Sequence, residues 1–309
     1  MQPRKYEKFL VTGGAGFIGS HLVDYLIGNG ARVAVVDDLS TGREENINPR
    51  ARFYELDASA KELASVFQKE KPEVVYHFAF NTNVPLSIRN PLFDAQSIDC
   101  SLNTFVNAVE FGVKKVVMAS SSFIYGNTHV LPLTESHPPQ PVSPYAISKI
   151  ASEHYLRFFF HTYGLPVVIF RYGTVYGPRQ VGGAMADYIR TIAKDERAAM
   201  YGDGNITRDY VFVDDIVAAN LKALEVADGH PPLICNIGSN TETTLNSLYS
   251  MIATLLGKPE NKPVYKPARA GEIIRLVVCY EKANKELGWR PIVDLRQGLK
   301  KTLRHYKLM

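Results

Sequence analysis

Tyr145 and Lys149 stand four positions apart in SPYAISK, residues 143–149, directly after a proline. Residues at i and i+4 share a helix face, so this spacing sets a phenol beside an ammonium. A phenol ordinarily ionises near pH 10, too high for a base at neutrality, and a nearby positive charge stabilises the phenolate. Such a pair is suited to moving one proton. The pattern alone is cheap, because a chain of 309 residues with 17 tyrosines produces about one such pair by chance. It equally describes two neighbours on a helix surface, and its meaning depends on what surrounds it.

A second constellation precedes it. In VTGGAGFIGSH, residues 11–21, Gly14, Gly16 and Gly19 satisfy G-x-G-x-x-G between the apolar run KFLVT and the helical spacing of FIGSHLVDYLIGNG, which stops at Gly28 and Gly30. Glycines there allow a tight turn, close approach of backbone to a pyrophosphate, and packing of helix on strand. The next apolar run, in ARVAVVDD, gives way to Asp37, 18 residues after Gly19. A carboxylate at that place suits the ribose hydroxyls of a dinucleotide and repels a 2′-phosphate, so NAD is expected over NADP unless Arg43 turns back toward the ribose. Three serines, Ser120, Ser121 and Ser122, follow the run VVMA. Serine is common in turns, but the ligand crevice of an open α/β sheet lies outside the carboxyl ends of its strands, and that position favours a working hydroxyl.

Elements that position these groups are legible as an alternation. KFLVTGG, ARVAVVDD, ARFYELD, PEVVYHFAF, VKKVVMASSS and LPVVIFRY are short runs rich in β-branched and aromatic residues, separated by helical stretches or loops. Strands buried on both faces read this way, which predicts an α/β fold with a doubly wound, mostly parallel sheet. After about residue 171 the rhythm changes. TLNSLYSMIATLLG and the stretch ending KANKELGWRP are predicted helices of a smaller region, and NKPVYKPARAGE is proline-rich and basic. The expected organisation is a dinucleotide-binding domain over residues 1–170, with 211–238 returning to it, and a mainly substrate-binding region over 171–309.

Composition narrows the partners. Hydrophobic residues make up 46% of the chain and the net charge is only +4, with no basic run longer than a pair such as Lys114-Lys115. Nucleic acid and an anionic membrane surface are therefore not expected partners. The cysteines Cys100, Cys235 and Cys279 are odd in number and far apart, which argues against a disulfide framework or a metal site. No apolar run approaches the roughly 20 residues of a membrane span, and MQPRKYEKFLVTGG carries no signal-peptide core, so a cytoplasmic protein is expected.

Taken together, TGGAGFIG with Thr12 ahead of the glycines, DDLSTG, SSSFIYG at 120–126, SPYAISK, YGPRQ at 176–180 and YGDGNITRDYVFVDD at 201–215 resemble the extended short-chain dehydrogenase/reductases. Within them the likeness is to the NAD-dependent nucleotide-sugar epimerases and dehydratases, and it runs from residue 9 to about residue 291. The resemblance implies a Rossmann sheet with a small C-terminal substrate domain. It makes Tyr145 the catalytic acid/base, Lys149 its electrostatic partner and a holder of the nicotinamide ribose, and Ser121 the third member. Ser121 is chosen because the family's hydroxyl lies four residues before the tyrosine of the YG pair, here Tyr125. NAD contacts fall on Gly13, Gly14, Gly16, Phe17, Ile18, Gly19, Asp37, Asp38, Asp57 and Ala79, with Tyr145 and Lys149. Substrate contacts fall on Ser87, Ser121, Ser122, Tyr145, Thr174, Tyr201, Arg208 and Arg269. The two arginines match those that grip a diphosphate, a task their planar forks suit, and Tyr201 would pack on the base.

The same likeness narrows the reaction. Dehydratases of the superfamily carry an Asp-Glu pair directly after the hydroxyl residue, where this chain has Ser122 and Phe123. Without those acids the expected chemistry is epimerisation at C4 of a nucleotide sugar, a UDP-hexose by this reading, with a related decarboxylase, a C4 reductase or a non-catalytic nucleotide-binding relative as alternatives. Three positions depart from the pattern: Thr174 replaces an asparagine, Phe80 in HFAF replaces a small residue beside the nicotinamide, and Leu276 stands where bulk at the sugar's C2 group is gauged. The predicted helix 146–163 holds more large apolar residues than one core-facing stripe requires, which predicts a homodimer.

Overall fold

The computed structural model describes residues 6–269 and 271–309, so the first five residues of the N-terminal stretch lie outside it. Six strands appear in the first half: β1 (Lys8–Thr12), β2 (Arg32–Asp37), β3 (Arg52–Glu55), β4 (Val74–His77), β5 (Lys115–Ser121) and β6 (Val167–Tyr172). Between them run α1 (Phe17–Gly28), α2 (Leu63–Glu70), α3 (Val84–Arg89), α4 (Pro91–Glu110) and α5 (Pro144–Tyr163). The second half adds β7 (Thr174–Tyr176), α6 (Ala184–Ala193), β8 (Ala199–Tyr201), β9 (Thr207–Phe212), α7 (Val213–Lys222), β10 (Leu233–Ile237), β11 (Glu242–Thr244), α8 (Leu245–Leu255), β12 (Val264–Lys266), α9 (Glu281–Leu287) and α10 (Leu295–His305).

Seven strands form one sheet in the order β10-β6-β5-β4-β1-β2-β3, and every pairing in it is parallel. Side chains alternate between two covered faces. Val11, Tyr76, Val117 and Phe170 join one core with Leu22 and Leu26 of α1 and Ile216 of α7, while Leu10, Val75, Met118 and Ile169 join the other with Phe67 of α2, Phe105 of α4 and Leu156 of α5. Double coverage leaves every residue of β4, β5 and β6 buried, which is why these strands read as unbroken apolar runs. The order reverses at β1, which has β2 on one side and β4 on the other. In such sheets the crevice opens outside the carboxyl ends at this point, and Thr12, Asp37, His77 and Ser121 are the last residues of β1, β2, β4 and β5.

Local signals set the bounds of α5. Ser143 caps it by accepting the Ala146 N–H (3.3 Å), Pro144 fills the first turn, and Gly164 ends it in the left-handed conformation (φ 70°). Beyond β6 the chain builds a smaller layer. There β9 pairs in parallel with β7 and antiparallel with β11, β8 pairs with β12, and Tyr176, Tyr188, Met200, Tyr249 and Leu303 form its core. Apart from the six-residue β9, these strands have three residues each, too short to show a period in the sequence. Trp289 turns back to the main sheet, packing in its core and donating from Nε1 to the Asp215 carbonyl (2.9 Å). Among the described residues no helix is long and apolar enough to cross a membrane, and no cluster of His, Cys, Asp or Glu could hold a metal ion. Cys100, Cys235 and Cys279 are free thiols.

Candidate active site

The loop after β1 has room for backbone and nothing else. A Cβ on Gly13 (φ 71°) would lie 2.7 Å from the Ala79 nitrogen, one on Gly14 would lie 2.7 Å from Val35, and one on Gly19 would overlap the Gly13 carbonyl oxygen. Gly16 caps α1 with no side-chain hydrogen bond, and the first turn holds no acid. Its leading N–H groups and positive dipole end therefore face the crevice, an arrangement fit for a pyrophosphate. Phe17 and Ile18 contribute backbone here, since their side chains pack into the cores on either side of α1. Asp37 is buried, and its oxygens accept from the Ala15 N–H (2.9 Å) and the Leu39 N–H (3.0 Å). Its carboxylate thus first ties the glycine loop to β2, a use that spacing did not reveal, and the remaining lone pairs are what a ribose would meet. Asp38 and Asp57 are exposed and each accepts from a serine two residues on. Arg43 pairs with Glu45 (3.1 Å) and does not fold over Asp37. Cradle, helix end and buried acid fit NAD.

At the ends of β5 and α5 the structure brings Ser121, Tyr145 and Lys149 together. The Ser121 hydroxyl, which accepts the Phe123 N–H at 3.2 Å, faces the Tyr145 phenol, and Lys149 Nζ donates to the Ala119 carbonyl at 2.7 Å. Burial pushes the phenol up to about 12 against the opposing influence of the Ser121 hydroxyl, and burial pulls the lysine down to about 7 against the pull of Glu153 and Asp94. Desolvation therefore outweighs the phenolate stabilisation expected from the i,i+4 ammonium: the chain by itself keeps Tyr145 protonated at neutral pH. Ser87, expected to touch substrate, is fully buried. Its hydroxyl donates to the Val84 carbonyl (2.8 Å) and accepts the Tyr145 backbone N–H (3.2 Å), so it acts on the site by fixing where α5 begins.

Two buried networks lie beneath the three residues, joining motif positions such as Thr12, Ser120, Tyr125 and Ser148 to positions no motif marked. In the first, Thr12 Oγ1 meets His77 Nδ1 at 2.8 Å and His77 Nε2 meets Ser101 Oγ at 3.0 Å. Ser101 gives its own proton to the Ser97 carbonyl (2.9 Å), so it must accept from Nε2–H, and Nδ1 must accept from Thr12. The single Ser152 hydroxyl proton is shared between the Ser148 carbonyl (2.9 Å) and Ser101 Oγ (3.1 Å), and Ser148 donates to Asp94 (2.7 Å). In the second, Arg171 grips Glu153 through Nη2 (2.7 Å) and Nε (3.1 Å). Ser120 donates to the same carboxylate, and Arg171 Nη1 donates to Tyr125 (2.9 Å), which donates to Asn236 (2.7 Å). These networks hold α5 against β4, β5 and β6.

On the other wall, Arg208 is fixed through Nη1 to the carbonyls of Thr207 and Ile273, both at 2.8 Å, and lies 5.5 Å from the Phe123 ring. Arg269 stacks on Tyr201 at 3.6 Å from the ring centroid. Among the described residues, five buried polar atoms lack a hydrogen-bond partner: Asn107 Oδ1, Ser122 Oγ, Thr174 Oγ1, Arg179 Nη1 and Glu272 Oε2. Orphaned buried groups are costly and mark places where a ligand completes the network. Two of the five sit on expected substrate residues, Ser122 and Thr174, and Glu272, which faces the Arg208 charge, was missed although it lies three positions after Arg269. Leu276 is fully buried with Ile124, Tyr125 and Val278.

A model of the NAD-dependent epimerase/dehydratase family matches residues 9–238. The chain is 38% identical over 304 residues to a putative UDP-glucose 4-epimerase of Methanocaldococcus jannaschii, with 96% of this chain and 98% of that one covered. It is similar to the crystal structure of a Thermotoga maritima UDP-glucose 4-epimerase determined with UDP-glucose, at 42% identity and a TM-score of 0.94 over 97% and 98% of the two chains. A Thermus thermophilus UDP-glucose 4-epimerase in complex with NAD matches at 36% identity and a TM-score of 0.91, again over 97% and 98%.

Proposed function

The chain belongs to the NAD-dependent epimerase/dehydratase family, and from that premise we infer that it is an NAD-dependent nucleotide-sugar 4-epimerase interconverting UDP-glucose and UDP-galactose. The observation that carries this reading is the convergence of Ser121 and Lys149 on Tyr145, the ammonium 6.0 Å from its ring centroid, at a site where Ser122 and Phe123 supply no second acid for water loss. Bound NAD would supply a reversible hydride acceptor at the substrate's C4. Tyr145 takes the C4 hydroxyl proton and returns it after the keto-sugar has turned over, Ser121 orients that hydroxyl, and Lys149 supplies the charge that lets the phenol give up its proton. The phenol's starting value of about 12 means that this charge, together with that of the oxidised nicotinamide, has to act on Tyr145 before it can serve as a base.

Gly13, Gly14, Gly16, Gly19 and the first turn of α1 would hold the pyrophosphate, Asp37, Asp38 and Asp57 the adenosine side, and Ala79 the edge of the nicotinamide pocket. Arg208 and Arg269 would hold the UDP diphosphate, Tyr201 the base, and Ser122 and Thr174 the sugar. Residues 1–170 with 211–238 would form the cofactor domain and the rest of 171–309 the substrate domain. Exposed Leu92, Phe93 and Val106 on α4, with Ile147, Tyr155 and Phe158 on α5, support a homodimer across this helix pair, and the reading places the protein in the cytoplasm. The test is incubation of the purified protein with UDP-, GDP- and dTDP-hexoses followed by product chromatography. Interconversion of UDP-glucose and UDP-galactose without net change in NAD is expected. Stoichiometric consumption of reduced cofactor would point to a C4 reductase, and NAD binding without sugar conversion would overturn the reading.

A further inference from the structure

The Phe80 ring faces the site. It stands just past β4 on a loop pinned on both sides, by the Ala79 N–H donating to Thr12 Oγ1 (3.4 Å) and the Asn81 N–H donating to Ser97 Oγ (3.1 Å). The Lys149 ammonium lies 3.6 Å from the Phe80 ring centroid, the close approach of a cation to an aromatic face. The edge of the same pair of rings brings Phe80 to Tyr145 at 6.0 Å and 86°, and Phe123 meets Tyr145 from another side at 6.2 Å and 81°. An ammonium has three donors. One goes to Ala119, the ring face occupies a second direction, and the third is left for the crevice.

We propose that Phe80 is a positioning residue for Lys149, its ring face holding the ammonium charged and turned so that a single donor points at the dinucleotide ribose. This rests on the role given to Lys149 above. The groups facing the ammonium are Ala119 on β5, Tyr145 and Glu153 on its own helix, Asp94 on α4, His77 on β4 and Phe80 itself. Glu153 and Asp94 act through space, and His77 is neutral. Phe80 is therefore the partner that can be removed without disturbing a buried ion pair or a hydrogen bond.

Three variants separate its attraction from its bulk. Phe80→Leu keeps water out but removes the π face, so Lys149 should lose its proton at a pH about one unit lower, a tenfold change in acidity. Phe80→Ala admits water to the ammonium, so the midpoint should rise instead. Phe80→Tyr keeps the face and should restore the parent value. The midpoint is read on the full-length protein by 13C-lysine NMR, with the Lys149 signal identified as the one absent from Lys149→Met. Turnover of the leucine variant should fall several-fold above the parent midpoint and recover in the tyrosine variant. An unchanged midpoint in Phe80→Leu, or a shift in the same direction in leucine and alanine variants, overturns the proposal. A shifted midpoint with unchanged turnover upholds the placement and refutes the role of Lys149 instead.

Discussion

Acidification should act on this protein through His77. The ring is fully enclosed, 1% exposed, with Nδ1 accepting from Thr12 and Nε2–H donating to Ser101. Protonation would place a second donor where Thr12 already donates, in a site with no water to stabilise the charge. Burial first, and then the Lys149 charge, hold the imidazole down to about 3 from its ordinary 6.5. A group whose folded value is depressed contributes stability that is complete above its unfolded value and lost as pH falls toward the folded one. The window is thus from about pH 7 to pH 3, and each unit of pH inside it costs about 1.4 kcal/mol. Between pH 7.5 and 4.5 the loss from this one ring should be about 2.5 kcal/mol, a large share of a typical folding stability. Urea unfolding at several pH values, for the parent and for His77→Gln, isolates the contribution, because every other titrating group is common to both. The parent curve should fall more steeply by that amount. Parallel curves would refute the claim that the ring is buried neutral.

Two further outcomes follow from the same geometry. Gly19→Ala puts a methyl group on the Gly13 carbonyl, so NAD affinity measured by fluorescence titration should fall at least tenfold, and undiminished binding would contradict the cradle. Glu153→Leu leaves the 7%-exposed side chain of Arg171 without its carboxylate, which should lower unfolding stability by about 3–5 kcal/mol. Glu153→Leu combined with Arg171→Met should recover much of it in the same denaturant assay.

Much of this was legible because the chemistry is concentrated in short stretches. The glycine loop, the acid ending β2, the serines ending β5 and the i,i+4 pair on α5 each carry a local pattern, and a doubly covered parallel sheet fixes where strand ends meet. What stayed hidden depends on contacts between distant positions. Thr12, His77, Ser101 and Ser152 become a chain only when β1, β4, α4 and α5 stack, and nothing in a lone histidine or serine announces it. Ser87 and Asp37 carry motif-like positions, yet backbone N–H groups claim their oxygens. The balance at Tyr145 could not be read from spacing either, since the i,i+4 ammonium favours the phenolate while burial, invisible in sequence, opposes it more strongly.

The central claim is that one site removes a hydride from C4 and returns it to the same carbon. Proton NMR of the purified protein incubated with UDP-galactose in D2O tests this directly. UDP-glucose should accumulate with hydrogen retained at C4, because the hydride never exchanges with solvent while Tyr145 shuttles only the hydroxyl proton. Deuterium at C4 of the product, or no conversion by protein with NAD bound, would contradict it.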